Sequence, residues 1–246
     1  TDLKLIDDII RDLVTFYEKR GVQPLLLSEY GITEVTKAIH LNRIFREEGW
    51  LTVKEELGLE LLDAGASRAF AIADHQIAHI YLNDKSILHE VRQRIENVEG
   101  VQIVLDSEAK NELGISHRRA GDLIAVSNEN AWFTYYYWSD QKFAPDFART
   151  VDIHRKPGYD PVELFMDPQI LFPKLRIATR LLQKRLGFRM LMDVIPLDET
   201  LIKGSHGCRP ENRADWPVLI TKNSDALHSD ELKSTDIHDI ILNSVG

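Results

Sequence analysis

The sequence predicts an α/β fold in which helices flank a mostly parallel sheet and a small α+β segment is inserted into the chain. Apolar residues recur at helical spacing over residues 2–19, with charged residues between them. The nearly continuous apolar run at residues 22–27 follows, and such a run is typical of a parallel strand buried on both faces. From residue 66 onwards, short strand patterns alternate with a helix pattern at residues 86–98. This change in the sequence pattern predicts the inserted segment.

The order of these patterns predicts three parts. Residues 1–65 are expected to form part of the α/β core, residues 66–128 the small α+β insertion, and residues 129–246 the remainder of the core. An irregular loop rich in Pro and Gly is predicted at residues 139–168. The other predicted elements are strands at 69–73, 76–82, 101–105, 123–126, 132–138 and 217–220, and helices at 175–186 and 237–245.

Composition limits the function classes. The chain has 246 residues and a formal net charge of −9, which argues against a surface that coats nucleic acid. A small anionic substrate remains compatible with this charge, because a bound metal ion inverts the local field. The single cysteine, Cys208, excludes an intrachain disulfide and a Cys-rich zinc cluster, and it fits a reducing compartment. No apolar run reaches the roughly 20 residues of a membrane span. Because the chain opens at Thr1 within a helix pattern, we expect further protein upstream.

The first candidate site motif lies at the end of the apolar run, where the chain reads Ser28-Glu29-Tyr30-Gly31. A carboxylate fixed at a strand end can ligate a divalent cation with little loss of entropy. The same position also suits an acid that caps a loop or pairs with an arginine. Glu29 is therefore a candidate metal ligand, with a structural role as the alternative.

The second motif is a histidine between glycines, in the sequence Gly204-Ser205-His206-Gly207. Glycines let the backbone approach a site closely, and neutral imidazole is the commonest metal ligand in proteins. A histidine on a surface loop fits the same pattern.

The third motif lies in the predicted irregular loop, at residues 152–160. His154 is a candidate for an additional metal ligand, and Arg155 and Lys156 are candidates for contact with a phosphate group. Alternatively, the charged residues of this loop pair with one another and fix its conformation.

The adjacent pair Asp74-His75 also suggests a metal site. Neighbouring side chains on a strand point to opposite faces, so both can bind one ion only if the chain turns there. We interpret this pair as structural, His79 as a packed sheet residue and His117 as part of a solvated turn.

The series of motifs resembles the carboxyl-terminal part of the alkaline phosphatase superfamily, in its type I phosphodiesterase / nucleotide pyrophosphatase branch. The shared features are the strand that ends in Ser-acid-aromatic-Gly, the insertion, the His-Gly loop, the strand at residues 217–220 and the Thr-Asp-Ile start of the last helix. The family usually has Ser-Asp-His-Gly at the first position, whose Asp and His bind zinc, and a later zinc-binding histidine. The resemblance implies that Glu29 and His206 bind metal. Tyr30 departs from the family histidine, and we assign it to substrate contact.

The motifs at residues 28–31, 73–76 and 152–160 are also similar to a bacterial branch of this superfamily, so we expect a cytoplasmic bacterial protein. The resemblance implies hydrolysis of phosphate esters or phosphodiesters in two displacements, with divalent cations about 4 Å apart. Zinc is the expected metal, with manganese or magnesium as alternatives. The resemblance also implies a Thr or Ser nucleophile and an Asp-x-x-x-His motif in an amino-terminal part of the same protein, and a small phosphorylated substrate as the partner.

Two alternatives remain open. A member of the superfamily that has lost catalysis and acts as a binding protein is favoured by Tyr30, because a phenol with a pKa of about 10 is a poor metal ligand. Another enzyme of the superfamily, such as a metal-dependent mutase or a sulfatase, is the other alternative.

Overall fold

The structure is a computed structural model that describes residues 2–222, 227 and 229–244. Within these residues the chain forms two compact units. The first is built from the described parts of Thr1–Gly31 and Trp216–Gly246, and the second is Ile32–Asp215. The predicted boundaries near residues 65 and 128 mark a different division, and they stay predictions.

The described residues form an α/β arrangement of six helices and twelve short strands, joined by 3₁₀ turns. No helix in this part of the chain is long and apolar enough to cross a bilayer. The helices are α1 Asp2–Glu18, α2 Leu41–Glu47, α3 Leu88–Glu96, α4 Ser107–Glu112, α5 Pro173–Arg185 and α6 Ile237–Ser244. The strands are β1 Leu25–Leu27, β2 Thr33–Glu34, β3 Lys37–Ile39, β4 Val53–Glu56, β5 Leu59–Leu62, β6 Ala69–Asp74, β7 Ile77–Leu82, β8 Val101–Leu105, β9 Leu123–Ser127, β10 Ala131–Phe133, β11 Gly204–Ser205 and β12 Leu219–Thr221.

The first unit contains α1, α6 and an antiparallel pair of strands. In this pair β1 lies beside β12, with Leu26 opposite Ile220. The Ser28 hydroxyl accepts a hydrogen bond from the Val218 amide at 2.9 Å, and this bond extends the pairing by one residue. Helix α1 follows the predicted amphipathic pattern, but none of its described residues is buried.

The second unit is organised by a four-stranded sheet in the order β6-β7-β9-β8, in which every neighbouring pair is antiparallel. Helix α2 packs on β6, where the buried Asn42 side chain bonds both backbone groups of Ala71, at 2.8 and 2.9 Å. At Ala71, the free edge of β6 is therefore satisfied by one amide side chain rather than by another strand. The apolar core between this sheet and the helices includes Phe45, Ile80 and Val91.

The prediction of a mostly parallel sheet is not met by these strands. Only β3 and β10 pair in parallel among the strands that the structure describes, and β1 is antiparallel to β12. The apolar run at β1 suggested burial on both faces, yet Leu25 and Leu26 are half-buried and Leu27 is exposed. Apolar residues alone do not reveal whether both faces of a strand are covered.

Most individual elements agree with the sequence patterns. The strands predicted at residues 69–73, 76–82, 101–105 and 123–126 correspond to β6, β7, β8 and β9. The helices predicted at residues 86–98 and 175–186 correspond to α3 and α5. The strand predicted at residues 217–220 begins two residues later, as β12. The helix predicted at residues 237–245 is α6 up to Ser244, and residue 245 lies outside the described part.

The strand predicted at residues 132–138 is wrong beyond Phe133. Strand β10 ends at Phe133, and residues 134–138 have no regular structure. Four successive aromatic side chains, Tyr135 to Trp138, are all buried with at most 1% exposure. A regular strand sends alternate side chains to opposite faces, so an irregular backbone is what brings all four into the same core.

Candidate functional site

The candidate site lies in the second unit, at the turn between β6 and β7. Strand β6 ends at Asp74 and β7 begins at Ile77, so the turn consists of His75 and Gln76. His75 has a φ of +54°, which is uncommon for a residue other than glycine. Because of this left-handed backbone conformation, the His75 side chain does not continue the alternating side-chain directions of strand β6. The Asp74 carboxylate is largely exposed, with one oxygen 4.0 Å from Nε2 of His75.

A second segment brings His206 against this turn. Strand β11 pairs antiparallel with β2, with Ser205 opposite Thr33, and it delivers His206 directly after it. The His206 carbonyl accepts a hydrogen bond from the Gln76 amide at 2.9 Å. The two imidazole rings lie with their centroids 4.1 Å apart and their planes tilted by 36°. The Ser205 hydroxyl lies 3.5 Å from Nδ1 of His75.

Tyr159 completes this cluster from the loop at residues 139–168. Its ring centroid lies 4.8 Å from that of His75, and its amide donates to the Ala73 carbonyl at 2.8 Å. Gly158 forms a parallel bridge with Ala73 and has a φ of +126°. A Cβ atom at Gly158 would overlap the Ala73 carbonyl oxygen and lie 2.8 Å from the Ala73 nitrogen. Only glycine permits this approach of the loop to the end of β6.

Gln76 joins the turn to three surrounding segments. Its side chain is completely buried, and Nε2 donates to the Thr33 hydroxyl at 3.0 Å and to the Glu129 carbonyl at 2.8 Å. Its Oε1 accepts from the Cys208 amide at 3.3 Å. One amide side chain thus connects β2, the turn before β10 and the loop that carries His206.

Electrostatics favours a neutral imidazole at His75. Burial lowers its pKa below the ordinary value, the neighbouring His206 lowers it further, and Asp74 opposes both effects. The neutral ring is the form that binds a metal ion or accepts a proton.

The chemistry of this cluster fits part of a metal centre. His75 and His206 supply two imidazoles, and the Tyr159 ring packs on His75 beside them. No group of three or more His, Cys, Asp or Glu suited to a metal ion occurs in the part of the chain that the structure describes. A tetrahedral zinc site uses three or four protein ligands, so these residues would need additional ligands.

The sequence matches the model of a known protein family. The model of the type I phosphodiesterase / nucleotide pyrophosphatase family matches residues 1–160, which include the β6–β7 turn and Tyr159. The chain belongs to this family. The resemblance predicted from the sequence is therefore confirmed.

No curated protein sequence matches this phosphodiesterase-family chain. Among solved structures, it is similar to phosphonoacetate hydrolase from Sinorhizobium meliloti 1021 in complex with phosphonoacetate, with 19% identity over 44% of the chain and a TM-score of 0.34. The murine ectonucleotide pyrophosphatase / phosphodiesterase 5 is similar over 52% of the chain, with 15% identity and a TM-score of 0.35. The chain spans 27% of the first of these structures and 31% of the second. No site residue is transferred from them at this similarity.

The six residues predicted to form the site are divided between the two units. Glu29 and Tyr30 lie in the first unit, where both are exposed. His206 is half-buried in the second unit, and His154 is exposed on the loop there. Metal binding by Glu29 and His206 stays a prediction, and so does metal binding by His154.

Lys156 and Arg155 pair with acidic residues of the same region, which was the alternative interpretation of the loop at residues 152–160. The Lys156 side chain is completely buried, and Nζ lies 2.9 Å from Asp160 and 2.6 Å from Glu163. Arg155 is half-exposed, with Asp146 and Asp152 at 3.8 and 3.7 Å. The charges of the loop thus pair with one another. Contact of Lys156 with a phosphate would require this loop to open, and Arg155 remains the accessible cation.

The aromatic segment at residues 135–138 is buried in the second unit. Its side chains belong to the core, and burial raises the pKa of Tyr137 to about 12. Sequence reasoning treated His75 as structural and assigned no role to Gln76 or Tyr159. The signal that could have found them is the coincidence of Asp74-His75 with a strand boundary, since a turn there frees both side chains.

Replacing Lys156 with Met should destabilise the protein by about 3–5 kcal/mol, because two carboxylates would remain buried without a cation. Burial already raises the pKa of Asp160, despite the opposing effect of Lys156. Urea unfolding measures the change. Lys142→Met is the matched control, since this lysine is exposed beside Asp140. The urea midpoint of this variant should be close to that of the unchanged protein. Equal midpoints for the two variants would contradict the burial of Lys156.

Gly158→Ala should lower the free energy of unfolding by about 3 kcal/mol. The new Cβ atom would require a backbone conformation that favours glycine, and it would also overlap the backbone of Ala73. Gly114→Ala isolates the first effect, because Gly114 also has a positive φ but open space around it, and we expect a cost of about 1 kcal/mol. Thermal or urea unfolding measures both. Similar costs for the two variants would show that Gly158 does not contact β6.

Proposed function

We propose that the full-length protein is a metal-dependent hydrolase of phosphate esters or phosphodiesters. Membership of the phosphodiesterase family supports the reaction class. The observation that carries the proposal within the described residues is the half-buried pair of His75 and His206, with ring centroids 4.1 Å apart. An imidazole fixed directly after a strand, as at His206, is suited to bind a divalent cation, and the second ring, at His75, can hold it in place.

In this proposal Glu29 and His206 hold metal, and His154 is a further ligand. Zinc fits the imidazole donors, and manganese or magnesium would suit a site richer in oxygen ligands. A divalent cation bound there would stabilise the negative charge that develops on the phosphoryl oxygens. Tyr30 and Arg155 are proposed to contact the substrate, because both are accessible and each can donate a hydrogen bond to phosphate. The nucleophile and the remaining ligands are proposed to lie outside these 246 residues.

His75 is proposed as a positioning residue. Its ring packs on His206, and Ser205 and Tyr159 fix it from the other sides. Groups that orient a metal-binding histidine typically affect metal affinity or activity by 10–100-fold. The parallel, alkaline phosphatase-like sheet is part of the same proposal, with β1 as one of its strands.

A second candidate function is a binding protein that keeps the family fold without catalysis. Tyr30, which replaces a family histidine, favours it. The lack of a cluster of three or more metal-binding side chains among the described residues is also compatible with it. Metal content separates the two functions, because the hydrolase should hold about two divalent ions per chain and the binding protein one or none.

The test uses the full-length protein with zinc or manganese and bis-p-nitrophenyl phosphate or a nucleotide as substrate. His206→Ala should reduce turnover by more than about 100-fold, because a ligand matters at least as much as the groups around it. His89→Ala is the control, since His89 is exposed on α3. Circular dichroism verifies that each variant is folded. Unchanged turnover in His206→Ala would refute the assignment.

His75→Asn should lower turnover by about 10-fold while metal stoichiometry is retained, because asparagine tolerates the positive φ but cannot pack on His206. Elemental analysis gives the stoichiometry, and a metal titration gives the affinity. Loss of the metal itself would make His75 a ligand rather than a positioning residue. Wild-type turnover would remove it from the site.

A further inference from the structure

Helix α5 and its flanks carry a charge opposite to that of the whole protein. Between Asp167 and Asp193 the sequence contains no Asp or Glu, whereas the chain as a whole has a net charge of −9. The cations in this interval are Lys174, Arg176, Arg180, Lys184, Arg185 and Arg189. Lys174, Lys184 and Arg185 are exposed and take part in no salt bridge between described residues.

The amphipathic helix α5 presents its apolar stripe to solvent. Arg180 bonds Asp193 through Nε at 2.8 Å, and Arg176 pairs with the same carboxylate. These contacts anchor the polar side of the helix to the protein. Residues 175, 182 and 186 follow the helical spacing of the opposite side. These leucines are 62%, 56% and 64% exposed.

The apolar surface continues beyond both ends of the helix. Leu171 and Phe172 precede α5 and are 87% and 71% exposed, and Phe188 follows it at 66%. Helical spacing places Lys174 and Arg185 directly beside the leucine stripe. We name this surface, formed by residues 171–188, the α5 patch. Apolar side chains exposed side by side in this way are typical of interaction sites.

We propose that the α5 patch binds the surface of an anionic lipid bilayer. A basic amphipathic helix with Leu and Phe on its apolar face is the pattern of interfacial membrane helices. A fluid bilayer adapts to the exposed side of a helix, whereas a protein partner has to provide a matching groove. The cations beside the stripe match the negative potential of anionic lipid headgroups.

Helix α1 provides an internal comparison, because it also exposes an apolar face. Leu13 is 51% exposed, close to the value of Leu182. Its polar side carries Asp7, Asp8 and Asp12 beside Lys4 and Arg11, so the net charge of this side is negative and an anionic surface would repel it. The proposal therefore predicts that the two helices differ in lipid binding, although they expose similar apolar side chains.

The test is cosedimentation of the full-length protein with vesicles of phosphatidylcholine that contain about 30% phosphatidylserine, compared with pure phosphatidylcholine. The protein should bind the anionic vesicles, and higher salt should weaken this binding. Each cation near an anionic surface strengthens binding about fivefold, so the double variant Lys174→Gln/Arg185→Gln should bind about 25-fold more weakly. Circular dichroism verifies that α5 is retained, since Arg185 also lies at the favourable end of the helix dipole.

The apolar contribution is tested with Leu182→Asn, which should weaken binding to the anionic vesicles. Leu13→Asn on α1 is the matched control and should leave binding unchanged. Equal effects of these two variants would overturn the proposal. Absence of vesicle binding would also overturn the proposal. This includes the case in which hydrogen exchange shows that another part of the protein or a second copy covers α5. Binding of an acidic protein through the α5 patch without vesicle binding would assign the patch to a protein partner instead.

Discussion

The buried amide of Gln76 is the constraint on which the rest of the second unit depends. It bonds Thr33, the Glu129 carbonyl and the Cys208 amide, which come from segments distant in sequence. An apolar residue at this position would remove all three bonds. The Thr33 hydroxyl would still donate to the Glu129 carbonyl at 2.8 Å, whereas the half-buried Cys208 amide would lose its Gln76 acceptor, and an unsatisfied buried group costs about 1–3 kcal/mol. The Gln76 side chain also fixes the turn between β6 and β7, which contains His75. The backbone amide of Gln76 bonds the His206 carbonyl, so the same residue holds His206 against this turn.

The sequence predicted local elements well because their signals are local. Alternating and helical periodicities found β6 to β9, α3 and α5 to within a few residues. Strand partners are set by contacts between distant segments, and the antiparallel partner of β1 lies almost two hundred residues away. The aromatic run after β10 looked like a strand because aromatic residues favour strands. The irregular backbone that brings all four side chains into one core depends on contacts with the complete core.

The candidate site was predictable only where a residue type carries its own signal. His206, between two glycines, was found by its pattern, whereas His75 was treated as structural. The decisive feature at His75 is a positive φ in a residue that is neither Gly nor Asn, and the strand boundary at Asp74-His75 indicates a turn but not the sign of φ. Lys156 shows the opposite case. Its charge suggested phosphate binding, but Asp160 and Glu163, four and seven residues later in the chain, enclose it.

Asp193 shows how one carboxylate determines what a helix presents to solvent. By pairing with Arg176 and Arg180, it turns the charged side of α5 inward, and the leucine stripe is left on the outside. These ion pairs lower the pKa of Asp193 to about 2, so the carboxylate stays charged down to strongly acidic pH and the orientation persists. Net composition hides this arrangement, because an acidic chain can still carry one strongly cationic and apolar surface. The local order of charges, rather than their sum, decides which partner each surface of this protein can bind.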